Sequence, residues 1–324
     1  VYKRQGSDPW PRPLEMGVST GKIGANGLGA LWMLGAAIGF SINGALVKAL
    51  LGLGVDVFVV AFARAFLALL PLLPFLYRDG LGAFRTDHPL THFLRALFGA
   101  GAMVCGFWAL SRLSLAEVTA LGFTAPLFTI VLAVLILREP VRWRRWTATA
   151  VGFAGVLIMV RPVEILEGGI DPAVFAALGM AFGIAMAITL VKRFPAGESQ
   201  AVMLLYFCIA SILVTAVPAV VAWRTPEPVE WLLLAGVGFV GLASQAMMIK
   251  AFRTGEASFV TPFDYAKLIF AGALGFFFFG EVPDAAFLAG ALVIIAATLY
   301  IARREARIRP SHSPHASERA QPLQ

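Results

Sequence analysis

Ten long apolar blocks run through this chain, several of them separated by only a few residues. They occupy 29–50, 56–77, 91–111, 114–137, 145–161, 172–191, 199–222, 231–252, 256–279 and 284–302. About 20 consecutive apolar residues are what a helix needs to cross the hydrocarbon core of a bilayer. Inside lipid only helices and closed barrels satisfy every backbone N–H and C=O. A barrel would show short segments alternating apolar and polar residues, whereas these blocks are continuous. The composition agrees: 59% of the 324 residues are hydrophobic and 14% charged, against about 25% charged in a soluble domain.

The net charge of +7 does not point to nucleic acid, because the basic residues cluster at the ends of the blocks. Of the 26 Lys and Arg, 18 fall in the N-terminal segment, the even-numbered connections and the tail, and three (Arg112, Arg161 and Arg224) in the odd-numbered connections. This asymmetry predicts that both termini are cytoplasmic. The opposite connections are acidic, with Asp56, Glu164, Glu167, Asp171, Glu227, Glu230 and Asp284. Short links such as Leu51 to Val55 and Gly280 to Pro283 predict antiparallel helical hairpins. Residues 1–28 and 304–324 read as disordered cytoplasmic segments, and Met16 is a candidate native start.

Displaced by 142 residues, the chain matches itself without a gap. Phe40 falls on Phe182, Ile42 on Ile184, Gly99 on Gly241, Ala109 on Ala251, Thr119 on Thr261, Glu139 on Glu281 and Arg161 on Arg303. The span breaks coincide as well, which chance apolar identities would not produce. This divides the chain into repeats at 29–161 and 170–303. Five crossings per repeat is an odd number, so the second copy must be inverted. The residues from Arg138 to Arg145 include four arginines, and the matching stretch from Gly280 to Phe287 has none. The predicted fold is an all-α integral membrane protein of ten transmembrane helices in two inverted five-helix repeats. Such repeats mark secondary transporters, with the solute site between the halves.

The stretch Phe107-Trp108-Ala109-Leu110 to Ala116-Glu117, then Thr124-Ala125-Pro126-Leu127-Phe128 and Leu137-Arg138-Glu139, together with Gly152 to Ile158, resembles the drug/metabolite transporter superfamily in its EamA-type ten-helix branch. The second copy departs from the pattern: Leu268 stands opposite Pro126, and Pro262 lies six residues earlier. The resemblance implies an inner-membrane transporter working by alternating access. It implies that spans one to four and six to nine surround the pathway and that five and ten lie to the side.

Ionisable side chains at membrane depth cost about 2.5–3.5 kcal/mol on insertion scales, so each needs a reason. Arg64 lies eight residues into the second span with no acid on its own helical face, which points to a wet cavity. Asp264 and Lys267 lie mid-span at i, i+3 and share a face; they are open to two readings, an internal ion pair or a solute and proton site. Arg95 and Lys250 lie near span ends, where long side chains snorkel. Glu117 and Glu256 begin helices as dipole partners, and Glu139 and Glu281 end hairpins. Asn43, Gln245 and Tyr265 could hydrogen-bond a solute or a neighbouring helix. Pro126 and the glycines Gly99, Gly101 and Gly106 allow bending or close approach. Trp32, Trp143, Trp146, Trp223 and Trp231 suit an aromatic belt, while Trp108 lies deeper and could face the pathway.

Two cations and one carboxylate leave a net positive centre, so the expected solute is anionic or zwitterionic. Its site would be Arg64, Lys267, Asp264, Tyr265, Asn43, Gln245 and Trp108. Asp264 is the candidate carrier of a coupled proton. No cofactor, metal or nucleic acid is expected; Cys105 and Cys208 have no metal or disulfide spacing. Lipid, a small-molecule solute and coupled protons are the expected partners, and a homodimer is compatible. A membrane-embedded enzyme would need a nucleophile with a base, or a metal cluster, at depth, and no His lies mid-span. An ATP-driven pump would need a P-loop, and none is present. A channel or scaffold is the remaining alternative.

Overall fold

In the computed structural model the structure describes residues 24–70, 86, 88–136, 138, 143–160, 171–191, 200–255 and 257–308. The helices are α1 (Ala25–Gly52), α2 (Val57–Leu69), α3 (Pro89–Leu110), α4 (Leu115–Gly122), α5 (Ala125–Leu135) and α6 (Trp143–Val160). They continue with α7 (Pro172–Val191), α8 (Gln200–Val221), α9 (Pro228–Thr254), α10 (Ala257–Val260), α11 (Ala266–Phe279) and α12 (Ala285–Ile308), with a 3₁₀ turn at Thr261–Tyr265 between α10 and α11. All ten expected spans are present as helix. Seven are long and apolar enough to cross a membrane, three more are shorter apolar helices, and the expected end of the second span, 71–77, lies outside the described residues.

Local chemistry sets the ends of these helices. The Asp56 side chain caps α2 by accepting from the Phe58 N–H at 2.8 Å. Ser114 and Glu117 form a reciprocal capping box at the start of α4. Glu227 and Glu230 do the same for α9. Each satisfies backbone N–H groups that a helix start otherwise leaves unpaired. Outward-facing side chains are large and apolar: Phe277 and Phe278 on α11 are about three-quarters exposed. Apolar surface of that extent is stable against lipid and not against water.

The packing obeys the repeat. α1 lies along α9, and its repeat equivalent α7 lies along α3. α2 packs on α9 as α8 packs on α3, and α2 and α8 meet each other. α1 touches α11 as α7 touches α4 and α5. Exchanging the halves leaves this pattern unchanged, as a two-fold relation requires. With five crossings in each half, equivalent helices run in opposite directions, so the repeats are inverted. α6 and α12 pair with one another at the side, where an added Cβ on Gly155 would sit 2.9 Å from the Gly290 carbonyl oxygen.

The two broken spans show the symmetry most directly. The fourth span stops at Gly122 and restarts at Ala125; the ninth passes through its 3₁₀ turn and restarts at Ala266. These restarts are 141 residues apart, one short of the repeat offset. Pro126 is in the first turn of α5 and Pro262 in the first turn of the 3₁₀ segment. The proline is displaced in the second copy, yet the interruption is kept. The Phe123 and Tyr265 rings, equivalent under the offset of 142, touch each other with centroids 4.7 Å apart and planes tilted by 51°. A residue that contacts its own repeat equivalent lies beside the two-fold axis.

Candidate functional site

Arg64 projects from α2 towards α3 and α9. Its Nη1 donates to the Met103 Sδ at 2.7 Å, and its guanidinium lies 5.8 Å from the Phe107 ring centroid. The side chain is half-buried. Among the described residues no carboxylate pairs with it. Thioether sulfur is a weak acceptor, and a cation over a ring gains about 0.5–2 kcal/mol. Most of the donor capacity of this guanidinium is therefore unused by the protein.

Asn43 of α1 stands beside it. A Cβ added at Gly241 of α9 would lie 3.1 Å from Asn43 Nδ2 and 3.3 Å from Arg64 Nε. Gly241 thus opens the space in which the two side chains meet. Asn43 Nδ2 donates to the Val237 carbonyl at 2.7 Å, which leaves its amide oxygen directed by a bond between helices. Gln245, one turn beyond Gly241 on the same face, is half-buried and makes no hydrogen bond among the described residues.

The second group is on the ninth span. Lys267 Nζ is 2.5 Å from Asp264 Oδ1, with side chains 19% and 27% exposed. The ammonium also lies 4.6 Å from the Phe40 ring centroid, and the Lys267 carbonyl accepts from Ser41 Oγ at 3.1 Å. Phe40 and Asn43 are three residues apart on α1, so one face of that helix carries both a contact to Lys267 and the neighbour of Arg64. Tyr265, between Asp264 and Lys267, contributes the ring tilted against Phe123. The local pairing at i, i+3 therefore forms and neutralises Lys267, and of these two central cations Arg64 is the one with no acid beside it among the described residues.

Trp108 is not drawn into this centre. Its ring lies 5.4 Å beneath the Arg112 guanidinium at the helix end, and Arg112 approaches Asp171 at 4.0 Å. Arg95 corrects an expectation: it does not snorkel but donates from Nη2 to the Met203 carbonyl of α8 at 2.6 Å. Lys250 is exposed and lies 4.0 Å above the Trp32 ring, as a side chain at a span end would. Glu139 and Glu256 lie outside the described residues. No cluster of three metal-ligating side chains occurs among the described residues.

Sequence reasoning passed over Lys48. Its Nζ is 2.5 Å from Glu281 Oε1 and donates to the Leu113 carbonyl at 2.6 Å. Glu281 had been expected only to end a hairpin. A lysine two residues from the end of the first block carries no local sign of a partner, because that partner belongs to the other repeat.

The pattern of the EamA-like transporter family matches residues 27–161 and 171–303. An S-adenosylmethionine uptake transporter of Rickettsia prowazekii is 34% identical over 84% of this chain and 92% of its own length. A riboflavin transporter of Vibrio cholerae is 31% identical over 86% of this chain and 94% of its own length. A pseudopaline exporter of Pseudomonas aeruginosa is 27% identical over 85% and 96%. One protein crystal structure superposes with a TM-score of 0.56 at 20% identity, covering 86% of this chain and 98% of the other, which shows the fold alone. The relatives are transporters rather than enzymes, and they cover both repeats. This chain is a multi-pass membrane protein that belongs to the EamA-like transporter family of the drug/metabolite transporter superfamily.

Proposed function

We propose that the chain is a secondary transporter of the inner membrane that moves an anionic or zwitterionic metabolite by alternating access, with both termini cytoplasmic and repeats at 29–161 and 170–303. The observation that carries this reading is Arg64. An arginine inside the bundle, with a thioether and a ring for company, is stabilised when a ligand or water takes its free donors. A carboxylate or phosphate does so bidentately.

Around it the site offers complementary chemistry. Asp264 attracts a cationic group of the solute and is the candidate proton carrier. The tilted Phe123–Tyr265 pair and Phe40 offer faces to a planar ring, and Asn43 and Gln245 offer amides. Trp108 lines the route at the rim. S-adenosylmethionine, which a relative is named for taking up, combines a carboxylate, cationic centres and a planar base, and is the first solute to test. Riboflavin, named for other relatives, has the ring without the charges.

The test is uptake of radiolabelled S-adenosylmethionine and riboflavin into proteoliposomes of the full chain. Arg64→Gln and Lys267→Gln should each abolish movement of a carboxylate-bearing solute while the yield of folded protein is kept. Wild-type rates in both variants would remove the site assignment. Transport of a cation lacking any negative group would remove the charge argument.

A further inference from the structure

The Lys48–Glu281 pair joins parts of the molecule that alternating access must separate. Lys48 belongs to α1 in the first repeat, and Glu281 follows α11 in the second. The pair is 2.5 Å long with side chains only 18% and 15% exposed. Both partners also hold the connection between α3 and α4. Lys48 donates to the Leu113 carbonyl, and Glu281 Oε2 accepts the Leu115 N–H at 2.8 Å. The Lys48 ammonium lies 5.8 Å from the Phe279 ring centroid. The ion pair and its three further contacts thus tie the ends of spans one and nine to the connection between spans three and four.

The seat for this carboxylate is built. Gly280 adopts a left-handed conformation (φ +67°) that ends α11 and turns the chain back, a geometry that favours glycine. The Glu281 N–H then returns to the Gly275 carbonyl at 3.0 Å. Gly275 has no side chain, and an added Cβ there would collide with Glu281 Oε2. A hairpin end needs none of this space.

We propose that Lys48 and Glu281 form the gate that closes the pathway at this end of the bundle, and that the pair must part for the site to open there. The Leu115 side chain completes the closure, since it fills the space beside Gly44 of α1. Thr119 lies one turn further in on α4, and Phe123 of the central aromatic pair one turn beyond that. Opening therefore exposes in succession Thr119 and the Phe123–Tyr265 pair. The proposal rests on the transport reading, which places this end outside.

Accessibility tests the gate without any solute. In the full chain carrying Cys105→Ala and Cys208→Ala, a reporter is introduced as Thr119→Cys. A membrane-impermeant maleimide is then applied to right-side-out and inside-out vesicles. Glu281→Gln, Lys48→Met and Gly275→Ala should each speed labelling from the outside by at least about tenfold, because a closed state no longer latched yields population to the open one. Ala36→Cys, fully buried in the other half of α1, should stay unreactive in the same variants; equal gains at both positions would mean general loosening and would overturn the gate. Unchanged labelling of Thr119→Cys in all three variants would also overturn it. Faster labelling only from the inside-out vesicles would keep the gate and overturn the orientation. Faster outside labelling in a chain that moves no tested solute would keep the gate and count against the solute.

Discussion

Replacing Arg64 by methionine should make the protein more stable and inactive at once. The substitution keeps an unbranched, flexible stem, ends it two atoms short of the guanidinium nitrogens and removes the charge. An arginine at membrane depth costs about 2.5–3.5 kcal/mol on insertion scales. Here the relief is partial: a 2.7 Å contact to a thioether, a ring 5.8 Å away, and no carboxylate among the described residues. The ring contributes about 1 kcal/mol, and the sulfur, a weak acceptor, less than the roughly 0.5–1.5 kcal/mol of an ordinary hydrogen bond. A methionine would put a flexible apolar side chain into the same space, so the net change is about 1–2 kcal/mol of added stability. In thermal unfolding of the purified chain this corresponds to a Tm higher by about 2–4 °C. Transport of a carboxylate-bearing solute, measured in proteoliposomes, should fall to background. Most substitutions of buried residues destabilise, so the sign is informative. A Tm lowered by several degrees would show that Arg64 is held as a structural residue, and the argument from its unused donors would fail.

Asp264→Asn leaves Lys267 without its partner, so its Tm should fall where that of Arg64→Met rises. If Asp264 carries the coupled proton, uptake by the same variant should no longer respond to an imposed pH gradient; an unchanged response would assign coupling elsewhere. Gly241→Val would push into the space shared by Asn43 Nδ2 and Arg64 Nε, and solute affinity in a thermal-shift titration should weaken by about tenfold or more, at 1.4 kcal/mol per factor of ten. A double-mutant cycle of Phe123→Leu and Tyr265→Leu should give a coupling of about 0.5–1.5 kcal/mol; additivity would deny the ring contact. A cysteine placed at Glu167 should react with an impermeant reagent outside intact cells and one at Ser311 should not; the reverse would overturn the orientation.

The sequence determined the features that short-range chemistry encodes. Block length and continuity fix helices that cross lipid, because an unpaired backbone group is intolerable there. The offset of 142 with an odd number of crossings fixes the inversion. The Asp264–Lys267 pair was legible because i, i+3 on a helix is a neighbour relation independent of everything else. Tyr265 was a candidate in the sequence but Phe123 was not, and although the offset makes the two equivalent, equivalence does not say that two residues touch. The break in the ninth span was also hidden, because its proline is displaced from the position that marks the fourth.

Only the tertiary structure decided which charges found partners. Lys48 and Glu281 come together across the repeats, and Arg95 reaches a carbonyl on α8, while Arg64 meets sulfur and a ring. The physical reason is the range of the interactions. Hydropathy and helix pairing act over a turn or two of chain and leave a periodic trace. An ion pair between repeats is set by how helices pack, and that packing depends on the summed shapes of side chains far apart in sequence.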